Sequence, residues 1–259
     1  MNFKNLNLVF DGYLAIITMD RPPVNALNEE TLTELGRALD AIKANEEARA
    51  VILKSASPRA FIAGADISSF TRIPEGEVES LIRKGQGLFD AIEAFPLPII
   101  ATVNGPCLGG GCELALACHL RIASEKARFG QPEINLGIIP GWGGTQRLPR
   151  LIGRTRALEL LLTGDSIDSG EAYNLGLVNR IVAAEDLDRE ARNIAARLAQ
   201  QAPRAIKAII RTVAKGGTLP LREGQALEAE AFVEVFATED AREGIRAFLE
   251  KKKPVFKNR

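Results

Sequence analysis

The chain is 259 residues long, with 46% hydrophobic and 25% charged residues. This is the composition of a folded globular protein, which excludes disordered, collagenous and coiled-coil chains, and a chain of this length buries about 70–75% of its unfolded surface without needing staples. Lys+Arg and Asp+Glu both number 33, a formal net charge of zero, so the basic excess of a general nucleic-acid or anionic-membrane binder is missing.

Leu6–Phe10 and Tyr13–Met19 read as strands joined by Asp11-Gly12, a hairpin signal. Arg21-Pro22-Pro23 breaks the chain. A helix follows over Asn28–Ala44, with Leu32, Leu35, Leu39 and Ile42 at helical spacing and Asn28 as its N-cap. Ala50–Leu53 is a short strand, Ala60–Asp66 a turn, Glu77–Ala94 a helix and Pro98–Val103 a buried strand. Gly109–Gly111 opens a helix over Cys112–Cys118, and His119–Ala123 is again strand-like. Short helices are expected over Gly143–Leu151 and Thr155–Leu162, and a strand over Leu177–Val182. Alternating strands and helices predict an α/β fold. Beyond residue 186 only helices are read, over Leu187–Gln201, Ala205–Ala214, Leu221–Phe236 and Ala241–Glu250. The expected division is a core over 1–195 and a helical C-terminal subdomain over 196–259.

Three cysteines cluster at 107, 112 and 118, which suits no disulfide framework and suggests a reducing compartment. The amino-terminal stretch lacks the pattern of a secretion signal. No apolar run approaches the roughly 18–20 residues of a membrane span. A cytoplasmic location is expected.

Two carboxylates stand where charge is otherwise absent. Glu113 is the only charged residue between Ala94 and Leu120, and Glu133 the only one between Phe129 and Gln146. Burial among Gly, Pro and aliphatic side chains raises a carboxyl pKa towards neutrality, the tuning that a general acid or base needs. The alternative for each is a glutamate bonded to a helix end or a buried arginine. Gly109-Gly110-Gly111 lies between a buried strand and a helix. Free amides at a helix start, approached closely across glycine, can hold a developing oxyanion; equally, the three glycines can serve a tight turn. FIAGAD at 61–66 carries no side-chain chemistry in its small residues and reads as a backbone N–H donor or an ordinary loop.

On RPPVNALN (21–28), FIAGADI (61–67), VNGPCLGGGCELALAC (103–118), FGQPEINLGIIPGWGGTQRLPRLIG (129–153), LLTGDSIDSGEAYNLGLVNRIV (161–182) and FATEDAREGIRAFLEKKKPVF (236–256), the chain resembles the enoyl-CoA hydratase (crotonase) superfamily, most of all its short-chain hydratases. The resemblance runs over nearly the whole sequence. It implies a spiral of repeated β-β-α turns followed by helices that build trimers or dimers of trimers. It implies an oxyanion hole made by the Ala65 and Gly110 amides, which would grip the thioester carbonyl of an acyl-CoA. Glu113 and Glu133 would hold one water, Glu113 taking its proton as oxygen attacks C3 and Glu133 protonating C2. Coenzyme A, part of the substrate, would run along Val24, Ala26, Leu27, Ala63, Gly64, Asp66 and Ile67. Gly109, Pro140, Gly141 and Trp142 would border the acyl group, and Phe248 and Lys251, from the tail, would reach the nucleotide end, of the same or of a neighbouring subunit. No metal or other cofactor is implied. The superfamily also holds isomerases and cyclic dienoyl-CoA hydratases; both glutamates together favour water addition. Trp142, the only tryptophan, either packs in the core or shortens the acyl pocket.

Other chemistries fit less well. A nucleophile triad would have to use His119, the only histidine, and no G-x-S-x-G is present. Cys107, Cys112, Cys118 and His119 lack the usual spacing of zinc ligands. The glycines lack the context of a dinucleotide or phosphate loop. Lys251-Lys252-Lys253 is read as a solvated helix end and not as an RNA or lipid contact.

Overall fold

The computed structural model of the chain describes residues 2–71 and 74–259. Met1, which opens the amino-terminal stretch read above, lies outside them. In chain order the strands are β1 (Leu6–Asp11), β2 (Leu14–Met19), β3 (Ala50–Ser55), β4 (Ile62–Ala63), β5 (Ile99–Val103), β6 (Pro106–Leu108), β7 (Leu120–Ser124), β8 (Arg128–Gly130), β9 (Ser166–Asp168) and β10 (Arg180–Val182). The helices are α1 (Glu29–Ala44), α2 (Ile67–Phe70), α3 (Val78–Glu93), α4 (Gly110–Ala117), α5 (Gly144–Ile152), α6 (Arg154–Thr163), α7 (Ser169–Asn174), α8 (Leu187–Ala199), α9 (Pro203–Gly216), α10 (Leu221–Phe236) and α11 (Glu239–Leu249).

Two sheets share the strands. One has six, in the order β1-β2-β3-β5-β7-β10, and the other four, in the order β4-β6-β8-β9. From β3 onward the chain alternates between them: β3, β5 and β7 go to the large sheet, and β4, β6 and β8 follow in the small one. Each pair is then followed by helix, so the β-β-α turn repeats and the chain advances as a spiral. The neighbouring strands β3, β5 and β7 are parallel, as are β4, β6 and β8.

The large sheet is covered on both sides, as a mainly parallel sheet must be. Ala15, Ile17, Val51, Leu53 and Ala101 face the main core with Phe61, Phe89 and Phe129. Their neighbours Leu14, Ile16, Ala50, Ile52 and Ile100 face the other way, following the two-residue alternation of a strand. That second face is closed by Leu187, Ala191, Ile194 and Ala195 of α8, at one-turn spacings along the helix.

The β1–β2 hairpin turns at Gly12, where φ is +56°. Asn28 caps α1, its Oδ1 accepting from the Thr31 N–H at 2.9 Å. The FIAGAD segment, read as a turn, in fact begins with β4, and β6, β8, β9 and α7 add elements beyond those read from the sequence. Further on, α9 and α10 pack on each other and α11 packs chiefly on α10. Helix α8, which runs through the expected division at 195/196, packs on β3, β5 and β7. Among the described residues, no helix is long and apolar enough to cross a membrane.

Candidate active site

The small sheet explains why the singled-out segments meet. In the parallel register Ala63 stands opposite Leu108, and Leu108 opposite Gly130. Two residues beyond the first pair lie Ala65 and Gly110, and three beyond Gly130 lies Glu133. Neighbouring strands are about 4.8 Å apart, so three successive turns of the spiral deliver their next residues to one edge of the sheet. A Cβ built on Gly110 would lie 3.6 Å from the Ala65 nitrogen, which shows how closely the two amides approach. Neither N–H donates to another group among the described residues. Gly110 is the first residue of α4, whose opening amides have no partner within the helix and stand at the positive end of its dipole.

The segments 24–27 and 63–67 are brought together by backbone. The Ala63 N–H donates to the Val24 carbonyl at 3.0 Å, Leu27 to Gly64 at 2.9 Å and Asp66 to Leu27 at 2.7 Å. Asp66 is tied down by Arg21 at 2.5 Å and by the Ser68 hydroxyl at 2.6 Å, and these bonds hold its carboxyl below the usual range. A second guanidinium nitrogen of Arg21 donates to the Ala26 carbonyl at 2.8 Å. Asn25, buried with φ +56°, spans from Ser55 Oγ (2.8 Å) to the Phe61 carbonyl (3.0 Å). Arg21 and Asn25 therefore lock the Ala65 amide in place; sequence reading missed both. Ile67, the first residue of α2, is exposed.

Glu113 lies one turn into α4, three residues after Gly110, on the same helix face. It is 2% exposed. Its Oε1 accepts from the Trp142 and Gly144 amides, each at 2.7 Å, and Oε2 has no partner among the described residues. Burial pushes its pKa up to about 7; the nearby Glu133 adds to the rise, while the two amides and Arg147 oppose it. Glu133 sits in a 3-10 turn over Pro132–Leu136 that follows β8. Burial raises its pKa too, and its Oε2 is buried without a partner among the described residues. Gly109 explains how Glu133 fits: a Cβ there would come within 2.7 Å of Glu133 Oε1, and φ at Gly109 is +51°. The two isolated carboxylates of the sequence thus reach one place, where the charge of Glu133 acts on Glu113, beside two unclaimed amides.

Trp142 is 3% exposed and lies edge-on to Phe89 at 5.7 Å between ring centroids. It also packs against Gly85 and Gly110, where added Cβ atoms would fall within 2.4 and 2.6 Å of the indole. It belongs to the main core and backs the Gly110 amide. Pro140 is buried, and the Gly141 carbonyl accepts from Gln86 Nε2 at 2.9 Å. Phe248 is 82% exposed near the end of α11 and Lys251 follows it at φ +54°. Both stand on a part of the chain apart from the helices and strands that carry Glu113 and Glu133.

His119 is a bonded structural side chain. Its Nδ1 accepts from the Ile99 N–H at 2.8 Å, which leaves the proton on Nε2, facing the Glu93 carbonyl at 3.2 Å. Burial lowers its pKa to about 4. Cys107, Cys112 and Cys118 are free and buried. Arg121, a buried cation that sequence reading passed over, donates to the carbonyls of Leu177 (2.7 Å), Ala115 (3.0 Å) and Cys118. It thereby caps the carboxyl end of α4, the helix whose other end offers Gly110.

Comparison with known proteins places the fold. The sequence model of the enoyl-CoA hydratase/isomerase family matches residues 10–259. The short-chain-enoyl-CoA hydratase of Clostridium acetobutylicum is 42% identical, covering all of both chains. The crotonyl-CoA hydratase of Syntrophomonas wolfei is 42% identical over 99% of each. The crystal structure of an enoyl-CoA hydratase from Bacillus anthracis superposes with a TM-score of 0.94, at 38% identity, covering 99% of this chain and 100% of that one. A spiral of this order, matched over its full length in sequence and in three dimensions, places the chain in the enoyl-CoA hydratase/isomerase family.

Proposed function

We propose that the chain catalyses the reversible syn-hydration of a 2-enoyl-CoA thioester to the 3-hydroxyacyl-CoA. The observation that carries this reading is the approach of two carboxylates, the buried Glu113 and the half-buried Glu133, to the unclaimed amides of Ala65 and Gly110. Two N–H groups aimed at the thioester oxygen draw negative charge onto it and leave C3 electrophilic; one such donor is worth about 3 kcal/mol in the transition state. Glu113, with Oε1 engaged by two amides, has Oε2 for a water. It takes a proton from that water as the oxygen bonds to C3, and Glu133 gives a proton to C2. A carboxyl titrating at about 7 is matched to proton transfer near neutral pH. All the steps use groups of the chain and water, without a metal or other cofactor. Coenzyme A would follow the backbone of Val24–Leu27 and Ala63–Ile67.

The names of the relatives from C. acetobutylicum and S. wolfei support a short acyl substrate. Assembly of copies of this chain into trimers or dimers of trimers is part of the same reading. It is supported by apolar side chains left exposed on α9 and α10, among them Val213 (69%) and Phe232 (66%). A cytoplasmic enzyme with no nucleic-acid or membrane partner completes it.

The test is a spectrophotometric screen over 2-enoyl-CoAs of several lengths, a 3-enoyl-CoA and a cyclic dienoyl-CoA. Hydration of crotonyl-CoA is expected, and a loss of about 10²–10⁴-fold in kcat in E113Q and in E133Q separately. Near-normal turnover by either variant, or activity on the 3-enoyl-CoA alone, refutes the two-glutamate hydratase.

A further inference from the structure

Arg147 of α5 is a buried cation that the hydration mechanism above leaves unused. Its side chain is 11% exposed. Nη2 lies 2.6 Å from Asp90 Oδ1, and Nε 2.9 Å from Glu93 Oε2, both on α3. The third contact points inward: Nη1 donates to the Trp142 carbonyl at 3.1 Å. The peptide on the other side of Trp142 supplies one of the two amides that grip Glu113, and Gly144 supplies the other. Between them Gly143 has φ +114°, and a Cβ there would lie 2.2 Å from Arg147 Nη1. The turn is bare at the point where the guanidinium presses on it.

We propose that Arg147 is a positioning residue for the reaction: it holds the Trp142–Gly144 turn from behind, so that two amides stay on Glu113 and the guanidinium charge stays behind that turn. The proposal rests on the reading of Glu113 as that base. An ion pair that merely tied α5 to α3 would need neither the Trp142 carbonyl contact nor the bare glycine.

The charges around Glu113 give the proposal its sign. Glu133 approaches from the turn after β8, and Arg147 from α5. On α3, Asp90 and Glu93 pair with Arg147. β4 carries no ionisable side chain, β6 brings the Cys107 thiol, and α4 itself carries Cys112, with Arg121 at its far end. Arg147 favours the ionised form of Glu113, so removing its charge disfavours that form. Removing a negative partner of Arg147 does the opposite, because the guanidinium is then less neutralised.

R147Q and E93Q break the same ion pair while changing the local charge in opposite directions. In pH profiles of kcat for crotonyl-CoA hydration, the acidic limb reports ionisation of the base in the bound complex. R147Q is expected to move that limb to higher pH, with kcat down about tenfold or more at pH 6 but less than about threefold at pH 9. E93Q is expected to move it to lower pH. R147K, which keeps the charge, should hold the limb near its wild-type position. A role confined to tying α3 to α5 lowers turnover at every pH without moving the limb. That result, or limbs of R147Q and E93Q that shift in the same direction, overturns the proposal. If R147Q fails to fold, E93Q decides alone, since it retains Arg147 and its contact with the Trp142 carbonyl. Near-normal turnover by E113Q would overturn the reading of the site itself, and this proposal with it, whatever the two limbs do.

Discussion

Replacing Glu113 by glutamine should make the protein more stable while removing its activity. Glu113 is 2% exposed, and its pKa stands near 7 against the ordinary 4.5. Between those values the native state keeps a proton that the unfolded chain has released. Native stability from this group is therefore fully present below about 4.5, declines as pH rises towards 7 and is lost above it. The gap, at about 1.4 kcal/mol per pH unit, comes to about 3 kcal/mol. Glutamine keeps an oxygen to accept from the Trp142 and Gly144 amides, which donate at 2.7 Å, but it cannot ionise. The assay is urea denaturation of wild type and E113Q at pH 5, 7 and 9, at one protein concentration because assembly shifts apparent stability. The advantage of E113Q should widen by about 2–3 kcal/mol from pH 5 to pH 9. Parallel pH dependences, or an advantage that narrows with pH, would show that Glu113 is not desolvated as described.

Two further substitutions probe the wall of the same site. Gly110→Ala puts a Cβ 2.6 Å from the buried indole of Trp142; overpacking of this kind costs about 1–3 kcal/mol. Displacing the Gly110 amide should also lower kcat about 10²-fold; a G110A enzyme that melts well below wild type yet keeps wild-type turnover would mean that the amide's position has no part in the chemistry. Trp142→Phe keeps an aromatic core contact while shortening the side chain. Hydration rates over a series of acyl lengths should shift towards longer chains if the indole borders the acyl group, and an unchanged ranking leaves Trp142 as core packing alone.

What was legible in the sequence follows from how far each force reaches along the chain. The hairpin at Asp11-Gly12, the α1 stripe and the α1 cap are local, and the structure shows them at the same places. Glu113 and Glu133 were legible because desolvation leaves a trace in composition: an acid alone in a long apolar window. The strands β4, β6, β8 and β9 were not, since two or three residues are too few to display alternation. Only pairing in the small sheet makes them strands. The arginines escaped for another reason. Arg147 meets Glu93 across 54 residues of sequence and Arg21 meets Asp66 across 45, and no spacing rule links such pairs. Arg121 begins just where the charge-free window around Glu113 ends, so its burial left no mark in that window.

The short strands that sequence reading missed are also what assembles the site. The strands of the large sheet build the core, and three of them, β3, β5 and β7, pass the chain to a two- or three-residue strand in the small sheet that ends at once in a loop or helix. Parallel pairing then aligns those endings, so that Ala65 and Gly110 stand level because Ala63 and Leu108 are paired. A longer strand at β6 would carry Gly110 into a ladder and commit its amide to a neighbouring carbonyl. Ending the strand at Leu108 and starting α4 two residues later leaves that amide free, and the next turn of the helix brings Glu113 to the same face. The chemistry of the site thus depends on β6 stopping early, and on Gly109, whose positive φ makes the stop possible and whose missing side chain admits the Glu133 carboxylate.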